Sequence, residues 1–306
     1  MEARYYSFSQ FLREKFGEKV YKLSLDGGFT CPNRDGKIGY GGCIFCSAGG
    51  SGDFCPSASL PLSMQINEAK SRISSKYTGN KFIAYFQAFT NTYGPIDKMK
   101  KLFWEVILRD DIVALDIATR PDCLPKEVIL LLAELNKVKP VFLELGFQTM
   151  HEETAIWMRR GYPTSTFSDA VHILHEHSIS IITHLILGLP MESKEMAIQT
   201  VDYINSLPVD GVKFTMLHVL KNTDLGRLYE KETFPLLSRE EYIDWLICCV
   251  EHLRKDIVIH RITGDGKRDD LLAPTWTLQK RFVLNSITKE MKARDSFQGK
   301  EYHYGI

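Results

Sequence analysis

Short apolar, β-branched runs alternate with amphipathic helical stretches along most of this 306-residue chain, and few architectures accept that alternation. Residues 20–25, 82–86, 112–117, 141–145, 179–186 and 212–216 read as strands, with a seventh at 257–262. Between them, 62–76, 96–109, 126–136, 152–158, 166–177, 193–205 and 238–255 carry helical periodicity. Strands separated by helices pair in parallel, and near-continuous apolar strands are covered on both faces. The expected fold is therefore α/β, a partial (β/α)6 TIM-like barrel. Residues 1–262 form its core, with an N-terminal helix. Residues 263–306 form a C-terminal extension, a loop over 264–274 and then a helix ending near Ala293. In such folds chemistry sits at the C-terminal ends of the strands.

A dense cysteine segment, FTCPNRDGKIGYGGCIFCSAGGSGDFC, follows the first strand. Thiolates bind soft or borderline metals, so Cys31, Cys43 and Cys46 suggest iron–sulfur or zinc. A structural zinc ion wants four ligands, which Cys55 or a histidine would complete. A cluster held by three cysteines leaves one iron open. The surrounding glycines allow a tightly wrapped loop in either case, and the segment alone leaves both open. The seven cysteines are an odd number, and Cys123, Cys248 and Cys249 are expected to pack in the interior. No apolar run reaches the ~18 residues of a membrane span, and the opening segment has no apolar core of a secretory signal. A cytoplasmic protein without disulfides or a membrane partner is expected. Thirty-eight basic residues balance 38 acidic ones, so any nucleic-acid contact must come from a local patch.

The other strand ends favour an enzyme with a large cofactor. Polar groups recur there: Gln87, Thr90 and Asn91 after the second strand, Arg120 after the third, Glu144 and Gln148 on the fourth, His184 on the fifth, Lys213 and His218 around the sixth. A structural zinc protein has no need of them. His184, inside an apolar strand, reads first as a core histidine and second as site lining.

The cysteine loop, TRPD, ELGFQT, RRGYPTS and HLILGLPMES together resemble the radical S-adenosylmethionine (SAM) superfamily. Within it the chain is similar to the YtqA/YhcC type, a relative of the elongator catalytic-subunit radical SAM domain, from Leu23 to the segment HRITGDGKRDDLLAPTW. The departure is the gap of eleven residues between Cys31 and Cys43, longer than the superfamily's usual spacing. Residues 32–42 are expected to loop outward and supply no ligand. The resemblance implies a 4Fe–4S cluster on Cys31, Cys43 and Cys46, with SAM chelated at the open iron. A one-electron donor such as flavodoxin or ferredoxin would reduce the cluster, and SAM cleavage would give a 5′-deoxyadenosyl radical that abstracts hydrogen from substrate. It also implies Phe45 and the backbone strip of Leu187, Gly188 and Leu189 near adenine, Gln87, Thr90 and Asn91 near the methionine moiety, and Glu144 and Gln148 near the ribose or sulfonium. Arg120 would face the SAM carboxylate or an anionic substrate.

The same relationship implies tRNA as substrate, with remodelling of the C5 side chain of the wobble uridine from 5-carboxymethylaminomethyl to 5-aminomethyl. Local support comes from Lys267 and Arg268 in a glycine-flanked loop, and from Arg159, Arg160 and Tyr162, where basic and aromatic side chains suit phosphate contact and base stacking. The alternatives are a radical SAM enzyme acting on a small molecule or a protein, and a non-enzymatic cysteine–metal protein.

Overall fold

A computed structural model describes residues 3–77, 79–232 and 234–303. In chain order the elements are α1 (Phe8–Phe16), β1 (Tyr21–Leu25), α2 (Leu62–Ile73), β2 (Phe82–Phe86), α3 (Ile96–Ile107), β3 (Ile112–Thr119), α4 (Lys126–Val138), β4 (Val141–Gln148), α5 (Glu152–Trp157), α6 (Thr164–Glu176), β5 (Ser180–Leu187), α7 (Lys194–Asn205), β6 (Gly211–Met216), β7 (Val219–Leu220), α8 (Asp224–Lys231), α9 (Arg239–His252), β8 (Val258–Arg261), β9 (Leu271–Ala273) and α10 (Lys280–Ala293).

Seven strands form one parallel sheet in the order β1-β2-β3-β4-β5-β6-β8, which curls into a half-barrel. Six βα units were expected, and the seventh run, at β8, completes the sheet against β6. Most helices begin where local chemistry favours it. Prolines 61, 95, 125 and 163 set an extended entry to α2, α3, α4 and α6. Ser238 and Glu241 close a reciprocal capping box on α9, at 3.2 and 2.8 Å. The apolar faces of these helices meet the outer face of the sheet in the main core, where Phe103, Leu132, Phe167 and Leu246 pack on Ile117, Leu143 and Phe214.

Alternate strand residues face the barrel interior, and their chemistry changes with height. At the bottom Ile83, Ala114, Phe142 and Ile182 form an apolar layer plugged by Phe8, Phe11 and Leu12 of α1. Two residues further along each strand stand Tyr85, Asp116, Glu144 and His184, which are polar. Two further again stand Gln87, Ala118, Gly146 and Ile186, three of them short or polar, and these line an open space. The strand pattern thus closes one end of the barrel and opens the other.

One expectation fails in the extension. Residues 264–274 read as a loop, but Leu271–Ala273 forms β9, antiparallel to β7. Strands this short carry no periodic signal, and the pairing partner lies about fifty residues away in sequence. α10 packs on α9, and the segment behind it is tied down by the Gln298 amide, which donates to the carbonyls of Arg254 at 2.7 Å and Ile257 at 2.8 Å.

Phe142 is the largest side chain of the apolar strand layer and touches Phe8 and Phe11 edge-on, at 6.1 Å between ring centres in both pairs. Phe142→Ala is expected to destabilise the chain by about 3–5 kcal/mol in urea unfolding, because the cavity left behind cannot collapse against the strands. A loss below ~1 kcal/mol would mean that α1 does not plug the barrel.

Candidate active site

The C-terminal ends of the strands open into a cavity of about 820 Å³. Cys31, Cys43 and Cys46, all half-buried, line one side of it. The loop that carries them is held from within. The Asn33 amide donates to the Arg159 carbonyl at 2.5 Å and to the Cys43 sulfur at 3.6 Å. Arg34 reaches the carbonyls of Ser47 and Cys46. The long excursion folds back on itself as a small hairpin, bridged between Asp35 and Tyr40. Gly36, at φ 93°, has no side chain where the Tyr40 ring lies; a Cβ there would sit 2.7 Å from the Tyr40 hydroxyl. Residues 35–41 do not line the cavity.

Cys43 and Cys46 are close enough to influence each other's ionisation. The hydrogen bond between them lowers the Cys46 thiol and, together with burial, raises Cys43 well above the ordinary range. Cys55 lies outside the cavity lining, donates to the Leu25 carbonyl at 3.5 Å, and is pushed up to about 12 by burial and by Asp26. Among the described residues no three His, Cys, Asp or Glu side chains converge on a single-ion site. Three soft sulfur donors beside Arg34, Arg120 and the Asn33 amide fit a cluster whose thiolates need cationic and hydrogen-bonding neighbours. The adjoining space, walled by Ala118 and Gly146, fits an organic cofactor.

The other expected residues divide. Phe45, Gln87, Thr90, Arg120, Glu144 and Gln148 all line the cavity. Gln87 is anchored by Ser24 at 2.9 Å and donates to the Ser51 carbonyl at 2.8 Å. Arg120 is clamped by both Asp122 oxygens, at 2.9 and 2.8 Å. Gln148 has a left-handed φ of 70° at a register break between β4 and β5, the kind of local irregularity that re-aims a side chain. Asn91, Leu187 and Gly188 do not line the cavity. The Asn91 amide is buried and donates to the carbonyls of Phe86, Ala88 and Ala118, so it shapes the loop behind the wall. Leu187 points into the main core, and Gly188, at φ 78°, is pressed against Leu237.

Two expected RNA contacts are corrected. Arg160 is 1% exposed, and its guanidinium donates to the carbonyls of Tyr162, Phe147 and Thr149 and to the Thr164 hydroxyl. Tyr162 is buried between the guanidinium groups of Arg120 and Arg160, at 5.0 and 4.6 Å from its ring centre, and its hydroxyl donates to the Gly146 carbonyl. Both brace the cavity wall. Sequence spacing suggests surface because paired arginines usually are solvated; here the turn after α5 folds them inward. Arg159, Lys267 and Arg268 remain exposed, the first paired with Asp224 and the second with Asp270 at 3.0 Å.

Beneath the cysteine side lies a charged layer that the sequence reading missed in part. Glu144, fully buried, accepts from Lys22 at 2.8 Å, the Tyr85 hydroxyl at 2.6 Å, His184 Nε2 at 2.8 Å, and Lys213. Lys22 also pairs with buried Asp116. Burial opposes ionisation of both acids. At Glu144 the two lysines overcome it and hold the carboxyl well below its ordinary range. At Asp116 burial and the Glu144 charge prevail, raising it to about 7. Lys22, Tyr85 and Asp116 each sit alone in apolar strands, where a single polar residue gives no clue to partners on other strands.

Asp116 generates a pH signature. Its pKa rises from 3.8 toward about 7 on folding, so between those values the unfolded chain ionises more readily than the folded one. Its contribution to stability therefore falls as pH rises through that window. Urea midpoints of the parent relative to Asp116→Asn are expected to decline from pH 4 to pH 7; a relative gain would mean that Asp116 is held as a carboxylate.

Comparison with known proteins agrees with this geometry. Residues 31–204 match the Radical SAM superfamily and residues 209–293 match the Radical SAM C-terminal domain. The uncharacterised protein YtqA of Bacillus subtilis is 43% identical over 98% of this chain and 93% of its own length. A tRNA uridine(34) acetyltransferase of Methanocaldococcus infernus is 29% identical over 50% of this chain and 29% of its own length. The solved structure of Methanocaldococcus infernus Elp3 superimposes with a TM-score of 0.68, at 17% identity, over 91% of this chain and 64% of that one. A parallel half-barrel, a three-cysteine loop at its open end and a family match across most of the chain lead to one assignment: the chain belongs to the radical SAM superfamily and, within it, to the YtqA/YhcC family.

Proposed function

We propose that this radical SAM enzyme modifies tRNA, converting the wobble-uridine side chain from 5-carboxymethylaminomethyl to 5-aminomethyl. The observation that carries the reading is the similarity, over half the chain, to an enzyme named for uridine 34 of tRNA. The cavity supports it: at about 820 Å³ it has room for a cofactor and an extruded nucleoside together. The superfamily's cofactors are a 4Fe–4S cluster and SAM, and when bound they supply a carbon-centred radical able to abstract hydrogen from an unactivated position.

The chain's own residues do the rest. Cys31, Cys43 and Cys46 would hold the cluster, with Asn33, Arg34 and Arg120 balancing thiolate charge. Phe45, Gln87, Thr90 and Gln148 would orient SAM along the cysteine side. Arg120, locked by Asp122, presents a fixed cation to a carboxylate. Arg159, Lys267 and Arg268 would meet phosphates, and Arg268 stands in a shallow depression beside the mouth, next to Asp265 and Lys280. A donor such as flavodoxin or ferredoxin would supply the electron.

Anaerobically purified protein is expected to carry iron and to form 5′-deoxyadenosine from SAM. Cys31→Ser, Cys43→Ser and Cys46→Ser should each lose both, while Cys55→Ser keeps them; equal loss in Cys55→Ser would make it a fourth ligand. Nucleoside mass spectrometry of tRNA from a deletion strain should show 5-carboxymethylaminomethyl-uridine accumulating at the expense of the aminomethyl form. Unchanged wobble uridines would refute the tRNA reading and leave the radical chemistry standing. Binding of tRNA should weaken steeply with salt, and Arg268→Ala should reduce the salt slope by about 1.

A further inference from the structure

We propose that His184 is the proton-transfer residue of this cavity, a general base that presents Nδ1 to substrate while the Glu144 carboxylate holds its Nε2 proton. This rests on the reading of the preceding subsection for the identity of the substrate.

The tautomer follows from donors and acceptors. His184 Nε2 lies 2.8 Å from Glu144 Oε2. An ionised carboxylate can only accept, so Nε2 must carry the hydrogen. A second proton on the ring is disfavoured, because burial and the Lys213 charge lower the His184 pKa despite Glu144. The ring is thus neutral, with the lone pair on Nδ1. That nitrogen has no protein partner among the described residues, and the side chain is 30% exposed where it lines the cavity.

Among the described residues, the other side chains of the Glu144 layer are engaged as donors or lie outside the cavity lining. Lys22 on β1, Tyr85 on β2 and Lys213 on β6 direct donors at Glu144 on β4. Asp116 on β3 pairs with Lys22 and lies outside the lining. Arg261 on β8 pairs with Asp265 at 2.5 Å. His218 Nε2 and His260 Nδ1 lack partners, but both atoms are sealed from solvent, and His260 is stacked on Phe8 at 3.9 Å. A histidine oriented by a carboxylate and open at its other nitrogen is the arrangement proton transfer requires.

The proposed conversion contains a step that needs such a group. Once the carboxymethyl carbon has been oxidised to the iminium level, by loss of one hydrogen atom and one electron to the family cofactors, the remaining step is hydrolytic and redox-neutral. Water adds to that carbon, forming C–O, and His184 takes a proton from it. The C–N bond then breaks, nitrogen receives that proton and the remaining hydroxyl proton, and glyoxylate leaves with its C=O formed. One iminium and one water give one ammonium and one aldehyde, with atoms and charge balanced. Glu144 acts through His184 and is a positioning residue.

The test compares the parent holoenzyme with His184→Gln on tRNA bearing 5-carboxymethylaminomethyl-uridine, under anaerobic reduction, with two products measured. In the variant 5′-deoxyadenosine should form at close to the parent rate, while 5-aminomethyl-uridine falls by roughly 10²–10⁴-fold. The acid limb of the parent's product–pH profile, below the ordinary histidine range, should vanish. Equal loss of both products, or loss of neither, overturns the assignment. If the parent forms deoxyadenosine but leaves that tRNA unchanged, the substrate reading fails, and imidazole ¹⁵N shifts of the parent holoenzyme decide His184 independently, with the variant identifying its signal. A protonated Nε2 and unprotonated Nδ1 between pH 6 and 8 are expected; a protonated Nδ1 overturns the proposal, even if His184→Gln fails to fold.

Discussion

Glu144 is the side chain on which the interior depends. A fully buried carboxylate is tolerated only when its lost hydration is replaced, and here four groups from four strands replace it: Lys22, Tyr85, His184 and Lys213. Removing any one partner leaves the buried carboxylate short of a donor, and removing either lysine also leaves charge unbalanced in a low-dielectric interior. Removing Glu144 leaves two lysines facing each other across the barrel. The network ties β1, β2, β4, β5 and β6 together at one height, so the curl of the sheet and the charge balance of its interior are a single constraint.

That layer also separates two environments. Below it, Phe142 packs against the phenylalanines of α1. Above it, short residues at Ala118 and Gly146 leave room for the cavity, and the cysteine loop closes one side. The polar layer therefore serves as the floor of the site and the lid of the apolar plug. Within it the Glu144 carboxylate is held ionised by Lys213 and Lys22, and burial with the Lys213 charge keeps His184 neutral and available. The wall is braced in the same manner: Arg120 and Arg160 hold Tyr162 between them and donate their hydrogen bonds to fixed carbonyls and carboxylates. Arg160 and Tyr162, which read as binding groups in sequence, serve as supports for the wall.

The half-barrel was legible because strand and helix periods are local properties of the chain. Every main strand lies where its apolar run lies, and β2 spans the expected residues. The pairing of β7 with β9 was not legible, because two- and three-residue strands are stabilised by each other and not by their own pattern. The three cysteines were legible as candidate metal ligands from residue type and clustering, and the structure places them together on one side of the cavity. Asn91, Leu187 and Gly188 do not line the cavity: strand-end position does not say which way a side chain turns after the strand, and backbone carbonyls left free by the turn captured the Asn91 amide.

The sequence by itself determined the alternating architecture, the end of the barrel that carries chemistry, and the three thiols with their donor chemistry. Hydrophobic period and sulfur's affinity for soft metals act over a few residues and need no partner from elsewhere. Only the tertiary structure decided which polar residues share the interior, that Arg160 and Tyr162 face inward, and that one carboxylate gathers Lys22, Tyr85, His184 and Lys213. Those assignments depend on the stagger of neighbouring strands in a curled sheet, which brings residues up to 128 positions apart within hydrogen-bond distance, and no single stretch of chain encodes that stagger.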